Sequence, residues 1–252
     1  MVREGERICQ LAMTGGKSAR PRRPVTISCL CVGGRRIEIG KSAGLTNRTV
    51  EMAFRPMEQR LRDQFRFLLE IDKLKNVLRQ NVLSDQSRRE NSAEHSWHLA
   101  LMALCLEEYA PAGINLFAVT KMLLLHDLVE IDAGDAFLHT PNEQKSQSAK
   151  ETAAAKRIFS LLPADQGAKF QALWTEFESG GSPEAKFARV LDKVQPLLLI
   201  EVTGAVTWRK YGTTHSQILR KLGFIEGDAP RLWPRIQRVV DEALATGALI
   251  RD

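Results

Sequence analysis

Hydrophobic residues recur at helical spacing through most of the chain after residue 57. Residues 57–80 place apolar side chains near a 3.6-residue period, and shorter amphipathic segments follow. Residues 115–130 are apolar almost all round, which is typical of a central, buried helix. The pattern predicts helices over residues 57–80, 94–109, 115–130, 145–162, 165–178, 182–192 and 230–248. Since no alternating strand pattern of useful length follows residue 57, we predict an all-α helical bundle.

The first 55 residues differ from the rest of the chain. Residues 1–50 lack sustained periodicity and are rich in Arg, Gly, Ser and Thr, so we predict a poorly ordered extension over 1–55 and a helical domain over 56–252. Residues 25–39 could form a β-hairpin, although an isolated hairpin is only marginally stable in water. Two alternatives stay open: a basic tail that touches RNA or a partner, or a natural start at Met52 or Met57.

The net charge of +6 is concentrated in this extension. Residues 1–65 hold 13 Lys and Arg against 6 Asp and Glu, whereas the remainder holds 23 against 24. The helical part is therefore nearly neutral, and nucleic acid is not an expected partner of it.

Composition favours a protein of the cytoplasm. No apolar run approaches the roughly 18 residues that span a bilayer, and no signal peptide is evident, so no membrane partner is expected. The four cysteines are scattered, which is typical neither of a disulfide framework nor of paired zinc ligands.

A few ionisable residues lie where an amphipathic pattern predicts apolar ones. His95 begins an apolar helix, His126 and Asp127 end the most hydrophobic one, and Asp192 lies within another apolar helix. Burying such groups costs several kcal/mol unless a partner or metal offsets the desolvation. Each residue alone also has a structural interpretation: a helix-start histidine, a buried hydrogen-bonded pair, or a salt-bridged aspartate. Together they form a mixed N/O ligand set that suits Mn²⁺, Fe²⁺, Co²⁺ or Zn²⁺.

The order His95, His126-Asp127, Asp192 on a helical chain resembles the H…HD…D signature of the HD-domain phosphohydrolases. The likeness covers roughly residues 60–225. Within it, residues 89–96, 126–135, 182–188 and 191–193 look like the subfamily that contains the 5′-deoxynucleotidases.

The resemblance implies a helical bundle in which His95, His126, Asp127 and Asp192 hold one divalent metal ion. The expected ion is Mn²⁺, Co²⁺ or another transition metal, and Mg²⁺ is also feasible. It further implies hydrolysis of (deoxy)nucleoside 5′-monophosphates to nucleoside and phosphate. Glu130 matches the family glutamate that orients or activates the attacking water, and Asp135 matches an acidic residue beside it.

The phosphate dianion needs positive side chains, for which Arg79, Arg88, Arg89 and Lys193 are the candidates. Arg88 and Arg89 could equally be surface residues at a helix start. Bacterial deoxynucleotidases carry an Arg-Trp pair before the first histidine, whereas here Gln80 follows Arg79. That departure puts the base or sugar contact, and strict deoxyribose preference, in doubt.

Three other functions stay open: hydrolysis of another phosphomonoester or a cyclic dinucleotide, hydrolysis of a guanosine polyphosphate, or a non-catalytic, metal-stabilised nucleotide sensor. Glu130 and Asp135 favour catalysis, because a scaffold needs the metal ligands but not these extra acids. A homodimer, as in relatives, is a further expectation, and the tryptophans at helical spacings are expected to lie in the core.

Overall fold

A computed structural model describes residues 30–32, 35–37, 47–135 and 141–252, with side chains over 57–135 and 145–252. The chain divides into two compact units, Met1–Val50 and Glu51–Asp252. Most of the predicted disorder of residues 1–55 therefore concerns residues outside the described ones. Residues 47–55 are described, and they form the first turns of a helix.

The first unit contains a short antiparallel hairpin. Strands β1 (Leu30–Val32) and β2 (Arg35–Ile37) pair with Leu30 opposite Ile37. This pairing confirms the β-hairpin that residues 25–39 were expected to be able to form.

The second unit is built mainly of helices, which confirms the all-α prediction. The α-helices are α1 (Asn47–Ile71), α2 (Ser92–Cys105), α3 (Leu116–Leu125), α4 (Glu130–Ala133), α5 (Pro141–Phe159), α6 (Ala164–Ser179), α7 (Pro183–Val202), α8 (Val206–Tyr211), α9 (His215–Leu222), α10 (Ile225–Asp228) and α11 (Trp233–Ala245). Short 3₁₀ helices cover Asp72–Asn76, Glu107–Tyr109 and His126–Val129. Helices α8, α9 and α10 were not predicted, because four to eight residues are too few to show a period.

The prediction of one helix over residues 57–80, with no strand after it, was wrong at its end. Strand β3 (Leu78–Val82) pairs antiparallel with β4 (Arg89–Asn91). The guanidinium of Arg89 donates to the backbone carbonyls of Leu78, at 2.8 Å, and of Arg79. The Arg89 side chain thus bonds the opposite strand of the hairpin, and a pattern of alternating apolar residues cannot predict such a contact.

The starts of α2 and α7 are set by local capping. Asn91 Oδ1 accepts from the backbone N–H of Glu94 at 2.9 Å, and the Glu94 carboxylate accepts from the backbone N–H of Asn91. Ser182 Oγ accepts from the backbone N–H of Ala185 at 3.1 Å, with proline at the first helical position, as predicted. These caps fix where each helix begins, and hence which way its later side chains point.

Helices α2, α3 and α7 pack together at the centre of the second unit. Their inner faces contribute Leu99, Leu123 and Leu191, each fully buried. Burying one such leucine is worth about 1.5–3 kcal/mol, so the three helices are firmly fixed against one another.

Three of the four tryptophans agree with the core prediction, since Trp174, Trp208 and Trp233 are buried. Trp97 is the exception: it is 61% exposed, on the outer face of α2. Among the described helices, none is long and apolar enough to cross a membrane.

Candidate metal centre

The four residues predicted as metal ligands come together between the three central helices. His95 comes from α2, His126 and Asp127 from the 3₁₀ helix that follows α3, and Asp192 from α7. All four are buried, and His95 is fully so.

Nitrogen and carboxylate oxygen atoms of these four candidate ligands approach one another closely. His95 Nε2 is 3.0 Å from Asp192 Oδ1, and His126 Nε2 is 3.0 Å from Asp127 Oδ1. Across the cluster, His126 Nε2 is 3.6 Å from Asp192 Oδ1, and His95 Nε2 is 4.0 Å from Asp127 Oδ2. One atom each of His95, His126 and Asp192 can be chosen so that all three lie within 4.8 Å of one another.

The outer nitrogens of both imidazoles are occupied by acceptors of the protein. His126 Nδ1 donates to the backbone carbonyl of Leu123 at 2.8 Å, and His95 Nδ1 lies 3.0 Å from Gln195 Oε1. Each Nε2 faces the cluster, and in the neutral ring with its proton on Nδ1 the Nε2 lone pair can bind a metal. His126 Nε2 is buried and has no hydrogen-bond partner of suitable geometry.

Negative charge exceeds positive charge around these ligands. Five carboxylates gather here, whereas Arg79 and Lys193 are the cations in direct contact with the ligands. The carboxylates belong to Glu90, Asp127, Glu130, Asp135 and Asp192. Burial raises the pKa of Glu90 to about 7, and burial with repulsion from Asp127 raises the pKa of Glu130 to about 9.

The carboxylates act differently on the two histidines, since burial lowers the pKa of His95. Burial opposes protonation of His126, but Asp127 and Asp192 outweigh it and raise its pKa to about 10. The protein groups by themselves thus favour positive charge at this point. Two imidazole nitrogens with two carboxylates, in an anionic and buried setting, fit one divalent cation.

The two predicted acids border the ligand cluster. Glu130, the first residue of α4, accepts a hydrogen bond from Ser92 Oγ at 2.5 Å and lies 4.0 Å from Arg79. Asp135 follows α4 and is half-buried; burial raises its pKa, with Arg79 opposing and Asp127 adding to the shift. Both carboxyl groups therefore interact electrostatically with Arg79 and Asp127.

Two of the four predicted phosphate-binding cations touch the ligands. Arg79 donates to Asp127 Oδ2 at 2.8 Å from a side chain that is 13% exposed. Lys193 Nζ donates to Asp192 Oδ2 at 2.7 Å and is 45% exposed. Lys193 thus lies where a ligand entering from solvent would meet it.

The other two arginines have different surroundings. Arg88 is exposed, and its guanidinium pairs with Glu94 at 2.6 and 2.9 Å, so the structure does not bring it to the cluster. Arg89 donates its Nε–H and one terminal N–H to backbone carbonyls of β3. Its electrostatic contact with Asp135 still places it near the edge of the site.

Two buried polar residues beside His95 were not predicted from the sequence. Glu90 is 2% exposed and Gln195 is fully buried. Gln195 Nε2 donates to Glu90 Oε1 at 2.7 Å and lies 3.2 Å from His98 Nδ1. Gln195 is uncharged, so it does not stand out as an ionisable residue in an apolar helix. The available signal was its position, three residues after Asp192 on one helix face.

Comparison with known proteins identifies the family of this chain. The HD domain family model matches residues 71–233. The human and mouse proteins named 5′-deoxynucleotidase HDDC2 are 31% and 32% identical over 140 and 136 residues. Those matches cover 54% and 53% of this chain and 66% of each relative, so the chain spans just under two thirds of their length.

A solved structure is similar over a greater extent. The crystal structure of a predicted metal-dependent phosphohydrolase from Magnetospirillum magnetotacticum MS-1 is 47% identical, with a TM-score of 0.72. The likeness covers 76% of this chain and 96% of that one. Since the family model spans well over half of its residues, the chain belongs to the HD-domain family.

Proposed function

We propose that this protein is a metal-dependent phosphomonoesterase that hydrolyses (deoxy)nucleoside 5′-monophosphates to nucleoside and phosphate. The single observation that carries the proposal is the cluster of His95, His126, Asp127 and Asp192 with Glu130 beside it. The substrate class is supported by the relatives, which are named 5′-deoxynucleotidases.

In this proposal, His95, His126, Asp127 and Asp192 hold one divalent ion. Mn²⁺ and Co²⁺ suit the mixed ligand set, and Mg²⁺ is also feasible. When bound, the ion would polarise a phosphoryl oxygen and lower the pKa of the attacking water. The remaining tasks fall to the side chains around it.

Glu130 is assigned the proton of the attacking water. Its raised pKa shows how strongly its surroundings favour the protonated carboxyl. A divalent cation would oppose that effect, because it favours the charged carboxylate and so returns the pKa toward the range useful to a general base. The hydrogen bond from Ser92 Oγ fixes one carboxylate oxygen, and Asp135 is assigned a supporting role beside it.

Arg79 and Lys193 are assigned to the phosphate dianion. The hydrogen bond of Arg79 to Asp127 uses one of its five N–H donors, which leaves others for a phosphoryl oxygen. Lys193 is a flexible, compact charge on the exposed side of Asp192. Arg89 is assigned the rim of the site, and Arg88 is left without a role in the reaction.

Phosphate release should depend on added metal and on nucleoside monophosphates. We expect turnover with Mn²⁺ or Co²⁺ and none with EDTA, because no ion is then present to polarise the phosphoryl oxygen and lower the pKa of the attacking water. The measurement is inorganic phosphate released from matched ribo- and deoxyribonucleoside 5′-monophosphates, each with Mn²⁺, Co²⁺, Mg²⁺ or EDTA. A guanosine polyphosphate and a cyclic dinucleotide serve as competing substrates. Turnover of these two alone would contradict the proposed substrate class.

Sugar preference depends on what surrounds the substrate, and Gln80 differs here from the family tryptophan. Gln80 Oε1 accepts from the Tyr211 hydroxyl at 2.5 Å, which ties β3 to α8. We propose that discrimination against ribose is weaker than in the deoxynucleotidases with Arg-Trp. The ribose and deoxyribose pairs of the same screen test this directly.

We propose that the protein acts in the cytoplasm as a homodimer. Three exposed side chains, Trp97, Leu101 and Leu104, follow the i, i+4, i+7 pattern on α2 and present one apolar stripe. An apolar stripe of this kind is typical of a surface that another protein covers.

The dimer should separate when a charge is placed in this stripe. We expect Leu101→Glu to change the mass in solution from twice 28.2 kDa to that of one chain, measured by light scattering after size exclusion. Leu219→Glu on α9 is the matched control, since Leu219 and Leu101 are both 41% exposed. A wild-type protein with the mass of one chain would contradict the dimer.

A further inference from the structure

The imidazole of His95 is held from both sides by one helix. Asp192 and Gln195 lie three residues apart on α7, so they share a face of it. Asp192 Oδ1 is 3.0 Å from His95 Nε2, and Gln195 Oε1 is 3.0 Å from His95 Nδ1. The ring therefore has a ligand partner at one nitrogen and an amide at the other.

The amide of Gln195 has only one favourable orientation. Its Nε2 donates to Glu90 Oε1 at 2.7 Å, and it lies 3.2 Å from His98 Nδ1, which can accept. Rotating the amide by half a turn would set its oxygen against the Glu90 carboxylate and its N–H groups against His95 Nδ1. Glu90 and His98 thus keep Oε1 directed at His95.

A fixed acceptor at Nδ1 selects one tautomer of His95. Oε1 can only accept, so it requires the proton on Nδ1, and the lone pair of Nε2 is then available to a metal ion shared with Asp192 Oδ1. Gln195 is also uncharged, so it orients the ring without adding a sixth carboxylate to an anionic cluster. Both residues are sealed from solvent, with Gln195 and His95 each at 0% exposure, so water cannot substitute for the amide.

We propose that Gln195 is a positioning residue that, locked by Glu90 and His98, holds His95 in the metal-binding tautomer and orientation. The inference rests on the metal site of the proposed function and adds to it the residues that prepare one ligand. Residues that orient metal ligands in this way typically change metal affinity by about 10–100-fold when they are replaced.

The test uses the full chain and measures Co²⁺ affinity by titration calorimetry, with the visible Co²⁺ spectrum as a second readout. We expect Gln195→Leu to weaken Co²⁺ binding by about 10–100-fold, since His95 Nδ1 loses its acceptor at 3.0 Å and keeps only Glu90 Oε2, which at 3.7 Å is beyond hydrogen-bond distance. Exchanging the two groups, in the double variant Glu90→Gln with Gln195→Glu, keeps an acceptor toward His95 and a donor between the pair. We expect this exchange to restore most of the affinity.

Thr203→Val is the matched control, because Thr203 is a buried polar residue at the end of the same helix whose hydroxyl bonds the Leu199 carbonyl. We expect it to leave Co²⁺ binding unchanged. Wild-type affinity in a folded Gln195→Leu protein would overturn the proposal.

A readout without metal separates this inference from the proposed function. Long-range ¹H–¹⁵N spectra of the five histidines should show His95 protonated at Nδ1 in the wild-type protein and in the exchange variant. The absence of a proton on His95 Nδ1 in the wild-type protein would overturn the proposal even if Gln195→Leu fails to fold. Failure of the wild-type protein to bind Co²⁺, with the Nδ1 proton in place, would count against the proposed function alone.

Discussion

Asp127→Asn is expected to abolish metal binding and turnover together. The change keeps the size of the side chain and removes one charge at the point where His126 Nε2, at 3.0 Å, and Arg79, at 2.8 Å, converge. An amide binds a divalent transition metal more weakly than a carboxylate, and its N–H groups would face the Arg79 donors. The loss of Co²⁺ affinity should exceed the roughly 100-fold that marks the upper range for supporting residues.

Thermal unfolding gives the measurement for this variant. A ligand present at 100 times its dissociation constant stabilises a fold by about 2.7 kcal/mol, so Co²⁺ should raise the wild-type melting temperature. We expect that rise to vanish in Asp127→Asn, along with phosphate release. The matched control is Asp132→Asn, in which the same change is made at an exposed residue paired with Arg157. A Co²⁺-dependent rise of normal size in Asp127→Asn would exclude Asp127 as a ligand.

The four candidate ligands could be proposed from the sequence because each interrupts a strong local pattern of apolar residues. A histidine and an aspartate at the end of an almost wholly apolar helix need a partner, and the structure places His95 of α2 and Asp192 of α7 beside them. The starts of those helices were partly predictable too, since Ser182 and Pro183 signal a cap before the helix forms. Helix caps and buried polar pairs of this kind depend on a few adjacent residues, so they can be predicted from the sequence.

The β3–β4 hairpin and the surroundings of His95 depend on contacts between distant residues. Arg89 reaches the carbonyls of Leu78 and Arg79 ten or eleven residues earlier, and Gln195 reaches Glu90 from 105 residues away. No local period or propensity encodes such pairs. Arg88 illustrates the same limit: its charge suited a phosphate, but capping of α2 places Glu94 within 2.6 Å of it.

Glu130→Gln should separate metal binding from catalysis, which Asp127→Asn cannot do. Glu130 is not among the four ligands, and Gln can still accept the hydrogen bond that Ser92 Oγ donates at 2.5 Å. We therefore expect Co²⁺ affinity and the Co²⁺-dependent rise in melting temperature to stay close to the wild-type values. The amide cannot take a proton from water, so kcat should fall by about 10²–10⁴-fold, the range that a general base contributes.

The measurement is phosphate release at saturating nucleotide, with Co²⁺ affinity determined on the same preparation. Glu201→Gln is the matched control, because Glu201 pairs with Arg235 at the other end of α7 from the cap and contacts none of the ligands in the described part of the chain. Its kcat should equal that of the wild type. Turnover near the wild-type rate in Glu130→Gln would remove Glu130 from the reaction and shift the role of base to Asp135, whose carboxyl borders the same cluster. Loss of Co²⁺ binding in Glu130→Gln would instead make Glu130 a fifth ligand, a role for which its buried, anionic setting would equally suit it.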